Sequence, residues 1–169
     1  MNTMNIEKEN KFISQMHPLL SPKYLAFKEE MGKANLSFII TCVSRTILEQ
    51  ISLYVQGRLG IQDVNRFRWI AGLPLMQKEE DNNIVTWTLN SMHVTNMLDE
   101  DLNNDYSRAF DIAIITSTGS VIWNIKVDTN QSKVPDYDEA GIIGETVGLV
   151  WGGRWKKPDR PHFQIKEEV

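Results

Sequence analysis

The stretch from Ser37 to Glu49 does most to limit how this chain can fold. Ser37 to Val43 (SFIITCV) is a short apolar run rich in Ile and Phe, the composition of a buried strand. Thr46 and Glu49 then form a T-x-x-E capping box, and Ile47, Ile51, Tyr54 and Val55 recur on one helical face. A strand therefore runs directly into a helix that closes at Gly57 or Gly60. Arg45 is held at the hinge between them, at the edge of whatever sheet the strand joins.

The other segments follow no β-α-β rhythm. Ser21 as cap and Pro22 at the first helical position open a helix that carries Tyr24, Phe27, Met31 and Ala34 at helical spacing and breaks at Asn35. A short helix is expected over Asp63 to Ala71 and a loop over Gly72 to Asn83. Ile84 to Thr88 (IVTWT) alternates like a strand, and Asp111 to Thr116 (DIAIIT) reads as another. A turn at Ser117 to Ser120 leads into Val121 and Trp123. Tyr137 to Leu149 fits a helix, although Gly141, Gly144 and Gly148 each weaken it by about 1 kcal/mol relative to alanine. His162 to Ile165 (HFQI) forms a last strand. This mixture predicts an α+β fold with a mainly antiparallel sheet and packed helices. The 169 residues contain no repeat, low-complexity tract or linker. One domain over residues 11–169 is expected, after a flexible tail at 1–10.

Composition narrows the function. Eighteen basic against twenty-two acidic residues give a net charge of −4, which argues against a nucleic-acid binder. No apolar run approaches the roughly 18 residues that span a bilayer, so no membrane segment is expected. The start, Met1 to Asn10, is polar and mixed in charge, unlike a secretory signal peptide, and predicts a protein made in the cytoplasm. Cys42 is the single cysteine, so no internal disulfide forms, and within its apolar strand it reads as an inert buried thiol. Most of the five tryptophans are expected in the core. Trp151 and Trp155, flanking Gly152-Gly153, are candidates to line a cleft.

Three histidines make a short inventory. His17, before Pro18, reads as a surface or helix-entry residue. His93 follows Ser91, beyond the IVTWT segment. His162 ends Pro158-Asp159-Arg160-Pro161-His162-Phe163, where two prolines fix the backbone between a carboxylate and an imidazole three residues apart. Such a loop suits metal-assisted hydrolysis, and equally a tight turn entering a strand. Residue chemistry alone leaves both readings open.

The order of the motifs adds to this. Ser91-Met92-His93 followed by Ala109-Phe110-Asp111 resembles the S-x-H-x-x-G-x-A-x-D motif of the zinc peptidases that cut peptidoglycan stem peptides. These are the D-alanyl-D-alanine carboxypeptidases and the L-alanyl-D-glutamate endopeptidases of phage endolysins. Trp151-Gly152-Gly153-Arg154-Trp155 and Asp159-Arg160-Pro161-His162-Phe163 resemble that family's tryptophan-glycine segment and its D-x-P-H-F ending. Upstream, Arg45-Thr46, Glu49-Gln50 and Leu53-Tyr54 resemble its R-T-x-x-E-Q-x-x-L-Y segment. The likeness runs in order from about Phe38 to Ile165.

The resemblance implies a hedgehog/DD-peptidase-like zinc peptidase fold and one Zn²⁺ per chain, bound by His93, Asp111 and His162 with a fourth position open. It implies Asp159 as general base, and Arg45 near the substrate as a partner for a carboxylate or oxyanion. Gln50 and Ser91 would add supporting hydrogen bonds, and Trp151 and Trp155 would meet the substrate. The implied partner is the peptidoglycan stem peptide, cut at L-Ala–D-Glu in preference to D-Ala-D-Ala. The implied setting is a phage or prophage endolysin that reaches the wall by holin-type release or virion delivery. A non-catalytic zinc-containing peptidoglycan-binding module and a virion structural module are the alternatives. Seventeen residues separate His93 from Asp111, eleven more than the motif, so an insertion is expected at Asn96 to Tyr106, with Ser107 in place of the usual glycine. Its acidic stretch Asp99 to Asp105 resembles the first half of a calcium loop, but Phe110 stands where the bidentate glutamate belongs. A solvated loop is the favoured reading there over a Ca²⁺ site.

Overall fold

The computed structural model describes residues 3–95 and 105–166, with side chains from Lys8 onward. Helix α1 (Thr3–Ser14) covers most of the segment expected as a tail. One of its charges docks it: the Glu9 carboxylate accepts hydrogen bonds from Lys28 and from the Tyr24 hydroxyl (2.7 Å), tying α1 to α2 (Ser21–Lys33). Pro22 lies in the first turn of α2 as expected, but Leu20 is the N-cap and Ser21 is already helical. His17 is buried at the entry to α2 rather than on the surface. Asn35 (φ 56°) then turns the chain into strand β1 (Phe38–Cys42).

The capping box forms. Thr46 Oγ1 accepts from the Glu49 amide (3.2 Å), and the Glu49 carboxylate accepts from the Thr46 amide (2.6 Å), opening α3 (Ile47–Val55). Helix α4 (Ile61–Ile70) packs on α3. Then come β2 (Ala109–Ile115), β3 (Val121–Ile122), α5 (Asp136–Thr146), β4 (Val150–Trp151) and β5 (His162–Gln164). The sheet has the order β1-β2-β5-β4, with β3 also on β2, and every ladder is antiparallel, as the α+β reading expects. Ile114 pairs with both Phe38 and Ile122, so β3 lies along the edge of β2 opposite β1. No helix among the described residues is long and apolar enough to cross a membrane.

Two segments differ from expectation. Ile84 to Thr88 is irregular and exposed rather than a strand. The buried Gln50 amide holds its backbone in place of a partner strand, donating to Thr88 O (2.7 Å). Strand β4 escaped the reading because two residues carry no period-two signal.

Alternation along β2 and β5 decides what faces the core. Phe110, Ile112, Ile114 and Phe163 are fully buried with Tyr24 and Phe27 of α2 and Tyr137 and Ala140 of α5. The Phe110 and Phe163 rings stack at 5.5 Å, and Phe27 lies 4.9 Å from Phe163. Phe110 and Phe163 are register partners, as are their neighbours Asp111 and His162. Successive strand residues point to opposite faces, so burial of the two phenylalanines turns Asp111 and His162 together to the other side.

The α5 glycines expected to weaken their helix have a packing role. A Cβ on Gly141 would overlap the Trp151 ring, and one on Gly144 would overlap the Phe163 ring. The missing side chains let α5 lie directly on Trp151 of β4 and on Phe163 of β5, the strand that carries His162. Gly141→Ala should gain about 1 kcal/mol in helix propensity, yet overpacking against Trp151 should cost about 1–3 kcal/mol. Urea unfolding should show net destabilisation. An unchanged or raised midpoint would mean that α5 does not press on Trp151.

Candidate metal centre

Asp111 Oδ1 stands 3.0 Å from His162 Nδ1 and 3.1 Å from His93 Nε2, and these two nitrogens are 3.2 Å apart. His93 reaches the cluster from outside the sheet. The Arg45 amide donates to His93 O (2.8 Å) and the Thr95 amide to Arg45 O (3.0 Å), so the strand–helix hinge grips the segment that carries His93. Both imidazoles are buried.

The outer nitrogens fix the tautomers. His93 Nδ1 lies 2.6 Å from Val43 O, to which only an N–H can bond. His162 Nε2 lies 2.9 Å from Gln164 Oε1 and donates to it. The inner nitrogens then present lone pairs to each other and to a carboxylate oxygen. Three acceptors this close repel unless a cation or a proton lies among them. The donor set fits a divalent metal: two imidazoles and a carboxylate, with separations close to the roughly 3.3 Å edge of a tetrahedron built on zinc–nitrogen bonds.

With protons alone in the cluster, titration is strongly shifted. Burial disfavours a charged His93, but the Asp111 carboxylate outweighs it and lifts the imidazole to about 10. Burial likewise opposes ionisation of Asp111, yet His93 and the hydrogen bonds from both imidazoles hold its carboxyl well below the usual range.

Arg45 occupies the other carboxylate oxygen, with Nη2 3.1 Å from Asp111 Oδ2. Its Nη1 donates to Gln50 Oε1 (3.3 Å), and Gln50 is fully buried behind it. The three candidate ligands and Arg45 line a cleft of about 730 Å³, together with Ser91, Trp155 and Asp159. Ser91 Oγ accepts from the His93 amide (3.4 Å), and the Trp155 ring lies 4.9 Å from the His162 ring. Asp159 is exposed at the mouth. Partial desolvation there, and next the charge of Asp111, raise its carboxyl above the usual range.

Trp151 does not line the cleft. It is buried, and its indole donates to Arg160 O (2.9 Å), holding the loop that leads to His162. Gly152 beside it allows the close approach, since a Cβ there would come within 2.5 Å of Asp159 O. The other four tryptophans are exposed, against the expectation that most are core. Cys42 is half-buried, not enclosed. A register shift after Ile40 makes it the partner of Asp111, and its Sγ, a His93 nitrogen and an Asp111 oxygen lie within 4.8 Å of one another. Ser107 is buried, its hydroxyl 2.7 Å from Val43 O, the carbonyl that orients His93. Sequence reasoning also missed Gln164, although its position two residues beyond His162 on one strand marks it as a same-face neighbour. Asp99 to Asn104, the bulk of the calcium-loop candidate, lies outside the described residues.

Comparison with known proteins finds similarity to peptidases. Residues 103–165 match the profile of a family described as D-alanyl-D-alanine carboxypeptidase. Over 153 residues the chain is 29% identical to the peptidoglycan L-alanyl-D-glutamate endopeptidase CwlK of Bacillus subtilis (strain 168), covering 90% of this chain and 74% of that protein. Its fold is similar to the crystal structure of the Serratia marcescens L-Ala D-Glu endopeptidase ChiX, with a TM-score of 0.54 at 18% identity over 93% of this chain and 85% of that one.

The cluster predicts a pH signature when a chelator is present. His93, raised on folding from 6.5 to about 10, contributes stability that is complete below pH 6.5 and lost as pH rises through about 10. Asp111, lowered from 3.8, contributes stability present above pH 3.8 and lost only in stronger acid. Chelated protein should therefore become easier to unfold in urea between about pH 6.5 and 10, and His93→Ala should flatten that slope. Equal slopes in parent and variant would refute the coupling.

Proposed function

We propose that this chain is a zinc-dependent peptidoglycan peptidase that hydrolyses the L-Ala–D-Glu bond of the stem peptide in preference to D-Ala-D-Ala. The observation that carries this reading is the convergence of two oriented imidazole lone pairs and one carboxylate on the wall of an open cleft. The choice of bond is supported by CwlK and ChiX, both named for L-Ala–D-Glu cleavage and both aligned over most of this chain.

In this reading His93, Asp111 and His162 hold the zinc. When bound, Zn²⁺ supplies Lewis acidity to a carbonyl and lowers the pKa of water. Asp159, beside the cluster and with a carboxylate that accepts no hydrogen bond from the described residues, accepts a proton from the attacking water. Its raised carboxyl binds a proton more readily than a free aspartate, as suits a base that must take the proton and later return it to the leaving amine. Arg45 holds the second oxygen of Asp111, so that the first stays directed at the imidazoles, and its remaining N–H donors suit a substrate carboxylate or oxyanion. Gln50 fixes the guanidinium, Ser91 steadies the His93 backbone, and Trp155 walls the cleft.

Isolated peptidoglycan incubated with the protein, with and without chelator, tests the reaction. Mass spectrometry should find new amino-terminal D-Glu only without chelator, whereas release of free D-Ala would reassign the bond. The Asp159–His162 loop allows a sharper division. Asp159→Ala should keep one zinc per chain and lose about 10²–10⁴ in turnover. His162→Ala should lose zinc and turnover together, because two ligands remain. Near-normal turnover in Asp159→Ala would put the base elsewhere, and loss of zinc from it would make Asp159 a ligand.

A further inference from the structure

Three of the exposed tryptophans share one cavity. Trp87 and Trp123 are 59% and 60% exposed and Trp155 is 39% exposed, yet all three line the cleft that holds His93, Asp111 and His162. The fold does not need this exposure. Its aromatic packing is supplied by Phe27, Phe110 and Phe163, and none of the three belongs to the buried core cluster. Trp87 and Trp155 stand on opposing segments bridged by Lys157, whose ammonium sits 3.5 Å from the centre of the Trp87 ring. Arg58 approaches the same ring at 5.8 Å. These cations hold the indole in place while more than half of the residue stays open to solvent.

We infer that Trp87, Trp123 and Trp155 form a saccharide-stacking subsite for the N-acetylated amino sugar to which the stem peptide is attached. The inference rests on the peptidase reading above. A pyranose ring presents an apolar face of C–H groups, and a rigid exposed indole is the side chain that covers such a face at least cost in rotamer freedom. Position supports it. In peptidoglycan the L-alanine amine is joined to the lactyl group of the sugar, so a reacting L-alanyl carbonyl lies about one residue length, ~3.6 Å, plus that short linker from the sugar. The Trp155 ring stands 4.9 Å from the His162 ring, in the first layer around the proposed reaction centre. Charge agrees as well: Lys156 and Lys157 line the same cleft, and the stem peptide carries free carboxylates. A peptidase acting far from the sugar, at the D-Ala end, has no use for such a wall.

Two measurements test this. Calorimetric titration of the chelated protein with a β-1,4-linked N-acetylglucosamine oligosaccharide should show saturable binding. It should weaken about three- to tenfold for each of Trp87→Ala and Trp123→Ala. Trp69→Ala, which removes a tryptophan that is 75% exposed and outside the cleft, should bind as the parent does. Absence of saturable binding, or equal affinity in parent and cleft variants, overturns the subsite. In kinetics, a stem peptide carrying its disaccharide should have a lower KM than the same peptide without sugar, and the cleft variants should bring that ratio towards one. Equal KM values for the two substrates in the parent also overturn it. If neither substrate is cut, the peptidase reading fails, and the oligosaccharide titration still decides the subsite.

Discussion

Two imidazole nitrogens and a carboxylate oxygen, all within 3.2 Å of one another, are the constraint around which this structure is organised. Each outer nitrogen is committed as a donor, to Val43 O and to Gln164 Oε1, so no proton is left over to relieve the contact except by charging an imidazole. Arg45 lies against the far oxygen of Asp111 and the buried Gln50 braces Arg45. The proposed cation site is thus pre-oriented, its cost of assembly met by the fold. That is the condition under which a metal can serve chemistry instead of merely holding a structure together.

The geometry is held from behind. Phe110 and Phe163 stack on the core face of the β2–β5 ladder, and the same register brings Asp111 opposite His162 on the other face. Helix α5 presses on this ladder through glycines that leave room for Trp151 and Phe163. Gly152 lets the Asp159–His162 loop close against β4, while the Trp151 indole holds Arg160 O. A residue next to a candidate ligand can therefore be a packing residue, as Phe110 and Phe163 are, and Trp151 and Gly152 beside the cleft act in the same way.

Features legible along the chain were local ones. The capping box at Thr46–Glu49, the apolar strand Phe38–Cys42, the part of β2 from Asp111 onward, and Pro22 at the start of α2 depend on neighbours within a turn or two, so period and propensity reveal them. The candidate ligands were legible only through the order of three motifs, since His93, Asp111 and His162 are individually unremarkable residues spread over seventy positions. Ile84–Thr88 shows the limit. Its alternation is that of a strand, but its backbone is held by the Gln50 side chain, and Val85 and Trp87 line an open cleft.

The amino-acid sequence by itself determined the class of fold, the junction that places Arg45, and the residue types from which a metal centre could be built. Only the tertiary structure decided which atoms meet. Tautomers depend on the Val43 carbonyl and the Gln164 amide, the role of Arg45 on a salt bridge to a residue 66 positions away, and the placement of Cys42 beside Asp111 on a register shift in β1. It also decided that Trp151 is buried and that Trp87 and Trp123 are not. The physical reason is the same in each case: exposure and hydrogen-bond partnership are properties of pairs of segments, and a sequence read along its length contains only one member of each pair at a time.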